Sequence, residues 1–495
     1  MQSSSHGPIE EGNSERRIRL LIWLGAVAVG LLIPLNILST GYLPPDDALR
    51  HVGKVVSGKP WSEILVLRQG FEEDQHPGWH TTLGWVYRSF KPSADGLVMF
   101  SVASLFMLWW TALVTPRRRP EAMLAALFVA SLTAPGTFTR ELYGRPFIFA
   151  MAMCVVLLQL WTSERLGRVA RLLLSVGLLT ISVWVHGSWF LWGVVCIAFA
   201  LAGQWRKGFV FGLCVLAGTF FAGCLAGRPL GYPLETLRHM FLSFGGHTLD
   251  RMLVTEFKPD TGDVAMVGLV LLALVWRVAR GKWNAAVVCN PVFMLAVFGW
   301  LLGLKVSRFW TDWGFPAAVL WLAWELEAAL EEAGPRKAYP RLLLAGFVAV
   351  GVFMSTVRDM GSRWTSDLTT EYATPETPGI NGWLPDKGGI VYASDMAVFY
   401  RTFYKNPHAD WRYILGFEPG IMPEEDLKIL RNIQWNWYAS KAYEPWVEKM
   451  RPEDRMMLLQ GAGSQPTIPG LEWKYAASDT WIGRLPHTNT PSTSP

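Results

Sequence analysis

An acidic pair stands at the start of the first long polar segment of the chain. Asp46 and Asp47 follow two prolines, and His51 comes one helical turn after Asp47. The prolines end an apolar helix, so Asp46 is placed to begin a second helix on which Asp47 and His51 share a face. A carboxylate with a histidine one turn away can act as a general base or bind a metal ion. The alternative is structural, with Asp46 as a helix cap and Asp47 offsetting the helix dipole.

A second candidate lies further along the same polar segment. His76 and His80 flank a Pro-Gly turn, and Asp74 precedes them. The turn could bring both histidines together as ligands of a metal ion, although their spacing matches no standard site. An ordered loop without a metal is the alternative. The sequence therefore leaves a divalent ion, Mg²⁺ or Mn²⁺, open as a cofactor and indicates no other.

Basic residues cluster in two further segments that border apolar runs. Arg140 and Arg145 flank Glu141, and Lys305 and Arg308 precede a late apolar run. Guanidinium groups match phosphate in a bidentate fashion, so these cations predict a site for an anionic ligand. Two alternatives stay open. The first segment could hold an internal Arg–Glu pair that fixes helix ends, and the second could extend its cations to lipid headgroups.

The elements that must position these residues are apolar helices. Of the 495 residues 51% are hydrophobic and 17% are charged, against about 25% charged in a soluble domain. The sequence therefore predicts a polytopic α-helical membrane protein with about eleven transmembrane helices, each long enough to cross the hydrocarbon layer. The apolar runs lie at 18–38, 96–115, 121–136, 146–162, 170–186, 188–203, 209–227, 263–280, 285–304, 315–330 and 342–357.

The orientation of these helices follows from their connections. Clusters of Arg and Lys occupy every second connection, from Arg16 and Arg17 to Arg336 and Lys337. Such clusters stay in the cytoplasm, so they predict a cytoplasmic N-terminus, and an odd number of helices then places the C-terminus outside. The predicted location is the plasma (inner) membrane, crossed several times. The net charge of +5 indicates no nucleic-acid partner, because these short basic loops account for the cations.

Four segments are predicted along the chain. Residues 1–17 form a disordered cytoplasmic N-terminus, 18–357 a transmembrane domain with a long first outer loop at 39–95, 358–486 a small extracytoplasmic α/β domain, and 487–495 a disordered tail. The last domain has apolar stretches of strand length and two helix-like stretches, one of which begins with a proline and two acids. Its predicted strands are 388–395, 411–417, 455–460 and 471–486, and its predicted helices are 396–405 and 423–433.

Together these features resemble the GT-C superfamily of membrane glycosyltransferases. An acidic pair opens the long outer loop after the first helix, further helices alternate across the membrane, and an α/β domain closes the chain. The late segment Arg308-Phe309-Trp310 leads into an apolar helix with Pro316, like the Arg-aromatic-x-x-Pro stretch common late in such enzymes. The architecture covers nearly the whole chain, whereas the short motifs are degenerate and name no subfamily.

The resemblance implies transfer of a sugar from a polyprenyl phosphate or pyrophosphate to a glycan, lipid or protein acceptor, next to membrane lipids, on the outer face. It implies that Asp47 or Asp46 is the catalytic residue and that Arg308 and Lys305 bind the phosphate leaving group. Some members of the family use a divalent metal ion and others do not. Three further substrate-binding residues are proposed from their chemistry and predicted side of the membrane: His51, Arg140 and Arg145.

Three other functions fit parts of the pattern. A polysaccharide polymerase or ligase of the O-antigen type shares the lipid-linked donor, but its main outer loop usually comes late in the chain. A transporter would carry inverted repeats and ionisable residues near the middle of the membrane, whereas no repeat is found here. A non-catalytic assembly protein would need neither an acidic pair nor basic groups gathered with it on one face of the membrane.

Overall fold

The computed structural model describes residues 13–71, 73–114, 118–163, 166–244, 258–260, 262–333 and 337–486. Residues 1–12 and 487–495, which belong to the two segments predicted to be disordered, lie outside these ranges. The first helix, α1, spans Asn13–Ser39 and so begins inside the predicted N-terminal segment.

Helices make up most of the described chain as far as residue 357. After α1 they are α2 (Asp47–Ser57), α3 (Trp61–Ile64), α4 (Pro77–Phe90), α5 (Ala94–Leu113), α6 (Pro120–Thr133), α7 (Pro135–Arg140), α8 (Phe147–Thr162), α9 (Arg168–Val185), α10 (Gly193–Leu201), α11 (Trp205–Leu225), α12 (Gly231–Phe244), α13 (Val264–Ala279), α14 (Pro291–Gly303), α15 (Phe315–Ala333) and α16 (Ala338–Val357).

The number of membrane crossings is smaller by the criterion of helix length than the sequence predicts. Within the described ranges, five helices are long and apolar enough to cross a membrane: α1, α5, α9, α11 and α16. Each predicted apolar run coincides with a helix, but several of these helices, such as α6 and α14, have only 10–17 residues. The predicted count of about eleven crossings is therefore not confirmed.

Large apolar side chains cover the outside of this helical bundle. Leu173, Leu216, Leu272 and Phe347, on four different helices, are each more than half exposed. Extended apolar surface marks contact with a partner other than water, and a lipid bilayer fits helices of this length. The bundle thus has the surface of a membrane protein.

One end of the bundle is joined by buried ion pairs. Arg341 at the start of α16 and Glu121 at the start of α6 are almost fully buried, and Arg341 Nε lies 2.8 Å from Glu121 Oε1. Arg119 contacts the same carboxylate at 3.3 Å, and Glu15 of α1 contacts Arg341 at 3.4 Å. We call these four residues the closed charge cluster. It fixes the starts of α1, α6 and α16 to one another.

The first long polar segment, 39–95, folds back onto the opposite end of the bundle. Its helix α2 packs against α4 and α5 and ends before Gly58, whose left-handed conformation (φ 67°) lets the chain reverse. The helix α4 begins at Pro77, a residue that is favoured in the first turn because its missing N–H would have no partner there. This segment carries the predicted acidic pair and the two histidines.

The C-terminal part is a small α/β domain, and the small sheet expected there is present. Its helices are α17 (Met396–Lys405), α18 (Glu424–Trp435) and α19 (Glu444–Lys449). Its strands are β1 (Ile390–Tyr392), β2 (Arg412–Tyr413), β3 (Arg455–Leu459), β4 (Glu472–Ala477) and β5 (Thr480–Arg484). The sheet order is β2-β1-β3-β5-β4, with β2, β1 and β3 parallel and β3, β5 and β4 antiparallel.

Alternate residues of the strands divide this domain into two layers. Val391 and Met457 face a core shared with Phe399 of α17 and with Trp61 and Leu65 of the first polar segment. Residues of the other face, such as Tyr392 and Met456, pack against α18 and α19. The Leu65 backbone also pairs with Tyr413 of β2. The polar segment 39–95 and the C-terminal domain are therefore packed as one body around α2 and α17.

Candidate functional site

A cavity of about 320 Å³ lies where the bundle, the first polar segment and the C-terminal domain meet. The closed charge cluster includes Glu15 in the first turn of α1. The cavity is lined by Asp46, which follows the last turn of the same helix, so the cluster and the cavity lie at opposite ends of the bundle. Lining residues with ionisable side chains are Asp46, Asp47, Arg50, His76, Arg140, Glu141, Arg145, His186, His239, Arg308, Asp312, Tyr400 and Glu418.

Asp46 occupies the capping position of α2 without capping it. Its backbone conformation (φ −140°, ψ −131°) turns the side chain away, and that side chain accepts no hydrogen bond from the helix. Instead one carboxylate oxygen, Oδ2, pairs with the guanidinium of Arg145. The other oxygen, Oδ1, is buried and has no hydrogen-bond partner among the described residues. The interpretation of Asp46 as a side-chain cap is therefore wrong.

Asp47 is held by a neighbour on its own helix. Its Oδ1 lies 2.7 Å from Nε of Arg50 and accepts a hydrogen bond from the Tyr400 hydroxyl at 3.4 Å. Burial raises the pKa of Asp47, but the charges of Arg50 and Arg145 outweigh burial and hold the pKa well below its usual range. The cavity wall thus carries a carboxylate, Asp47, whose ionised form is favoured by its neighbours.

A tight backbone contact positions the turn that follows α7. Gly144 has a left-handed conformation (φ 65°), and a Cβ there would lie 3.1 Å from the backbone nitrogen of Val102 in α5. Its carbonyl oxygen accepts a hydrogen bond from the Ser101 hydroxyl at 2.9 Å. Only glycine suits this combination of conformation and close approach. The contact directs Arg140 and Arg145, which stand on either side of the turn, into the cavity.

A second close backbone contact positions the late basic segment. Residues Trp310–Gly314 form a π-helical turn, and a Cβ on Gly299 of α14 would lie 2.7 Å from Cα of Gly314. This packing leads the chain directly into α15 and places Arg308 and Asp312 on the cavity wall. Turns of this type are frequent at functional sites, because they redirect side chains within a helix.

Two guanidinium groups converge on one carboxylate at this end of the cavity. Arg308 Nε lies 2.7 Å from Asp312 Oδ2, and Arg140 lies 3.4 Å from Asp312 Oδ1. The guanidinium of Arg308 also stacks 4.6 Å from the ring centre of Phe147. Nearby Glu141 is buried, and burial raises its pKa well above the usual value. Two guanidinium groups thus face the single carboxylate of Asp312, an arrangement that suits an anionic ligand.

Four histidines lie next to the side of the cavity that carries Asp46 and Asp47. They are His51, His76, His80 and His186. Nδ1 of His51 lies 2.8 Å from Nε2 of His80, and the other nitrogen of His80 pairs with Asp74. The ring of His76 lies with its centre 4.8 Å from those of both His51 and His186. Burial lowers the pKa of His51 and His76 well below the usual value, so both rings are neutral. The cluster supports α2 from behind and places His76 and His186 at the cavity.

The predicted metal ion does not fit this arrangement. Across the described part of the chain, no group of three or more His, Cys, Asp or Glu side chains is arranged to hold a metal. The ring centres of His76 and His80 are 6.3 Å apart, and both nitrogens of His80 already have partners. One oxygen of Asp46 and one of Asp47 already pair with an arginine. No step of the chemistry below is therefore assigned to a metal.

The structure brings most predicted site residues together and leaves His51, His80 and Lys305 outside the cavity. Asp46, Asp47, Arg140, Arg145 and Arg308 line one cavity. Lys305 is exposed and does not line it, because it lies in the turn after α14 and is directed to the surface. His51 shares a face of α2 with Asp47 but is fully buried against His80, so it does not reach the cavity either.

Several lining residues were not expected. Asp312 and Arg50 stand four and three residues from predicted site residues on helical turns, so helical spacing could have identified them. His186 directly follows the last residue of α9. Tyr400 and Glu418 belong to the C-terminal domain, and no local pattern in the sequence connects them with the acidic pair.

Comparisons with known proteins assign no family. No protein-family model and no curated protein matches the sequence. Two crystal structures of the Archaeoglobus fulgidus oligosaccharyltransferase are similar to the fold at 12% sequence identity. The apo form has a TM-score of 0.48 over 90% of this chain and 69% of that chain. The complex with Zn and sulfate has a TM-score of 0.45 over 89% and 67%. A likeness of this degree assigns neither a family nor an activity to this chain.

Proposed function

We propose that this protein is a membrane glycosyltransferase that transfers a sugar from a polyprenyl phosphate or pyrophosphate to an acceptor on the outer face of the membrane. The observation that carries the proposal is the cavity at the end of an apolar bundle. Carboxylates occupy one side of it, and two converging arginines occupy another. Sugar transfer from a phosphate donor needs these two environments next to each other.

The basic end accounts for the leaving group. A lipid-linked donor would place its phosphate between Arg140 and Arg308, whose guanidinium groups match phosphate oxygens in pairs. When the bond between C1 of the sugar and the phosphate oxygen breaks, the phosphate leaves with the electron pair of that bond. Cations held in place before the reaction stabilise the growing negative charge without reorganisation.

The acidic end accounts for the acceptor. The acceptor oxygen forms the new bond to C1, and its proton passes to the carboxylate of Asp46, which lines the cavity. Asp47, whose pKa is held low, stays ionised and stabilises the positive charge that develops on the sugar ring. Arg145 and Arg50 fix the orientation of the two carboxylates.

The proposed location follows from the basic loops. The closed charge cluster lies at the end of the bundle whose connections are rich in Arg and Lys, and the cavity lies at the other end. The positive-inside rule then places the cavity and the C-terminal domain outside the cytoplasm. Labelling of single cysteines introduced at Gly463 and at Arg206 by a membrane-impermeant reagent tests this: only the first should react in intact cells.

The transfer reaction is tested in membranes that contain the wild-type chain and a panel of polyprenyl-phosphate sugars. Wild type should release polyprenyl phosphate and form glycosylated product. Asp46→Asn and Asp47→Asn, purified as monodisperse protein, should each lose activity by roughly 10²-fold or more, the usual contribution of a general acid or base.

Asp479→Asn is the matched control. This aspartate lies in the β4–β5 turn with a left-handed backbone (φ 62°), which asparagine tolerates. The transfer activity of the Asp479→Asn variant should equal that of wild type. If wild type transfers no sugar from any lipid-linked donor, the glycosyltransferase proposal fails. If both carboxylate variants stay fully active, the enzyme class stands and the assignment of the carboxylates fails.

A further inference from the structure

An exposed cluster of aromatic side chains in the C-terminal domain does not line the cavity. It follows the last turn of α18 and consists of Trp435, Trp437 and Tyr438, which we call the aromatic turn. Their side chains are 70%, 90% and 52% exposed. Exposure of three large rings at one place in a small domain is unfavourable in water and marks a recognition surface.

The backbone of the aromatic turn is ordered by hydrogen bonds. Trp437 and Tyr438 both have left-handed backbone conformations, with φ of 53° and 61°. Their N–H groups donate hydrogen bonds to the carbonyl oxygens of Gln434 at 3.1 Å and of Ile433 at 2.8 Å. Two successive bulky residues rarely adopt this conformation, and such strain persists mainly where a binding or catalytic role requires it. The strained backbone and the exposed rings occur at the same residues.

The helix before the turn packs on one face of the sheet. Leu430 and Ile433 of α18 pack under the face of the sheet that carries Tyr392 and Met456. The opposite face of the sheet packs against the first polar segment and α17, next to the cavity and the bundle. The aromatic turn therefore follows a helix that packs on the face of the sheet carrying Tyr392 and Met456.

The turn itself is polar and carries no charged side chain, and the nearest charge that acts on it is that of Asp395, which acts on Tyr438. The segment 432–440 contains no Asp, Glu, Lys or Arg, and the amides of Asn432 and Asn436 flank the rings. Asn436 Nδ2 donates to the carbonyl oxygen of Asn432 at 2.8 Å, which holds that side chain beside the turn. Flat aromatic faces next to amides suit a ligand with apolar C–H faces and many hydroxyl groups. A sugar chain without charge has this character.

We infer that the aromatic turn binds a neutral oligosaccharide chain. The rings stack on the apolar faces of successive sugars, and the flanking amides bond to their hydroxyl groups. On the proposed function this chain is the acceptor glycan, which the C-terminal domain holds while its end reaches the cavity. The binding itself does not depend on that proposal.

Binding is measured with the full-length protein in detergent and linear, uncharged hexasaccharides of glucose and of mannose as probes. Wild type should bind at least one of them, and Trp437→Ala should weaken the binding by about tenfold or more. Trp205→Ala removes another exposed tryptophan (63%), at the start of α11, and should leave the binding unchanged. Absence of binding to every probe, or equal binding by Trp437→Ala, overturns the inference.

Two further measurements separate the alternatives. Sedimentation of both proteins tests for an interface between copies: a smaller particle in Trp437→Ala assigns the turn to self-association and overturns the inference. The transfer assay then links the turn to the proposed function. Trp437→Ala should raise KM for a long acceptor about tenfold without a change in kcat. If hexasaccharide binding is normal and no transfer occurs, the proposed function fails while this inference stands.

Discussion

The two ends of the helical bundle use the same kinds of charged residue in opposite ways. In the closed charge cluster, Arg341 and Glu121 are buried to 1% and 0% exposure and contact each other directly. At the other end, Asp46 and Asp47 also pair with arginines, but their pairs form the wall of a cavity of about 320 Å³. The Oδ1 atom of Asp46 has no hydrogen-bond partner among the described residues.

The difference teaches how to separate structural from functional ion pairs in this fold. Pairing alone does not distinguish the two ends, because Glu121, Asp46 and Asp47 each contact an arginine. The two ends differ in the empty volume next to the charges. The closed charge cluster joins helix ends directly, whereas the charges at the other end surround a cavity that a sugar phosphate could enter. Buried ion pairs of the first kind hold their partners strongly in place once formed.

The largest expected effect comes from breaking the closed charge cluster. Arg341→Met leaves Glu121 buried without its main partner, so the free energy of unfolding should fall by about 3–5 kcal/mol. Thermal unfolding of the purified protein measures this loss. The transfer activity of each folded molecule should stay the same, because the cluster lies at the end of the bundle opposite the cavity.

A double variant sharpens the comparison. Arg341→Met with Glu121→Leu removes both charges and should recover most of the stability, since an apolar pair can replace a buried ion pair. Stability that stays as low as in the single variant would contradict the structural role of the pair. A loss of activity per folded molecule would contradict the separation of the two ends.

The next effect concerns the basic side of the cavity. Arg308→Gln should lower kcat/KM for transfer by about a hundredfold, because the leaving phosphate loses a preorganised donor pair. Lys305→Gln is the control, since Lys305 lies three residues earlier and is exposed outside the cavity. Equal losses in the two variants would show that these cations act through the general positive charge of the segment, not through the cavity.

The smallest effect concerns the support behind the acidic end. Burial raises the pKa of Asp74, but the charge and hydrogen bond of His80 outweigh it and lower the pKa to about 2. Because the pKa in the folded state lies below the unfolded value near 3.9, the pair stabilises the fold above that pH. This stability, on the order of 2 kcal/mol, should be lost as the pH falls toward 2.

Thermal unfolding at a series of pH values checks this support. Asp74→Asn should be less stable than wild type at pH 7, and the difference should disappear near pH 2. A difference that is constant with pH would mean that the Asp74–His80 ion pair is not its cause.

Much of the fold could be predicted from the sequence, because local patterns determine it. Apolar runs indicated the helices, and the helices predicted at 396–405 and 423–433 correspond to α17 and α18. Asp395 shows why the first of these begins where it does, since its carboxylate accepts a hydrogen bond from Ala397 N–H at 2.8 Å. The number of crossings was harder to predict, because the lengths of several apolar runs exceed those of the helices they form.

The site could be predicted only in part, because its walls come from distant segments. The acidic pair and the arginines were identified from their own neighbours in the chain. The positions of His51 and Lys305 were not, because helical spacing tells which residues share a face but not which neighbour that face meets. Tyr400 reaches Asp47 across more than three hundred residues of sequence, through the packing of α17 on α2.

The most direct test of the account separates donor binding from chemistry within the cavity. A donor analogue with a phosphonate in place of the phosphate ester binds but cannot react, and its Kd can be measured for each variant. The account predicts that Arg308→Gln weakens binding of the analogue at least tenfold, whereas Asp46→Asn binds it like wild type and yet does not transfer sugar. If Asp46→Asn weakens the binding as much as Arg308→Gln, or transfers sugar at the wild-type rate, the proposed division of the cavity is contradicted.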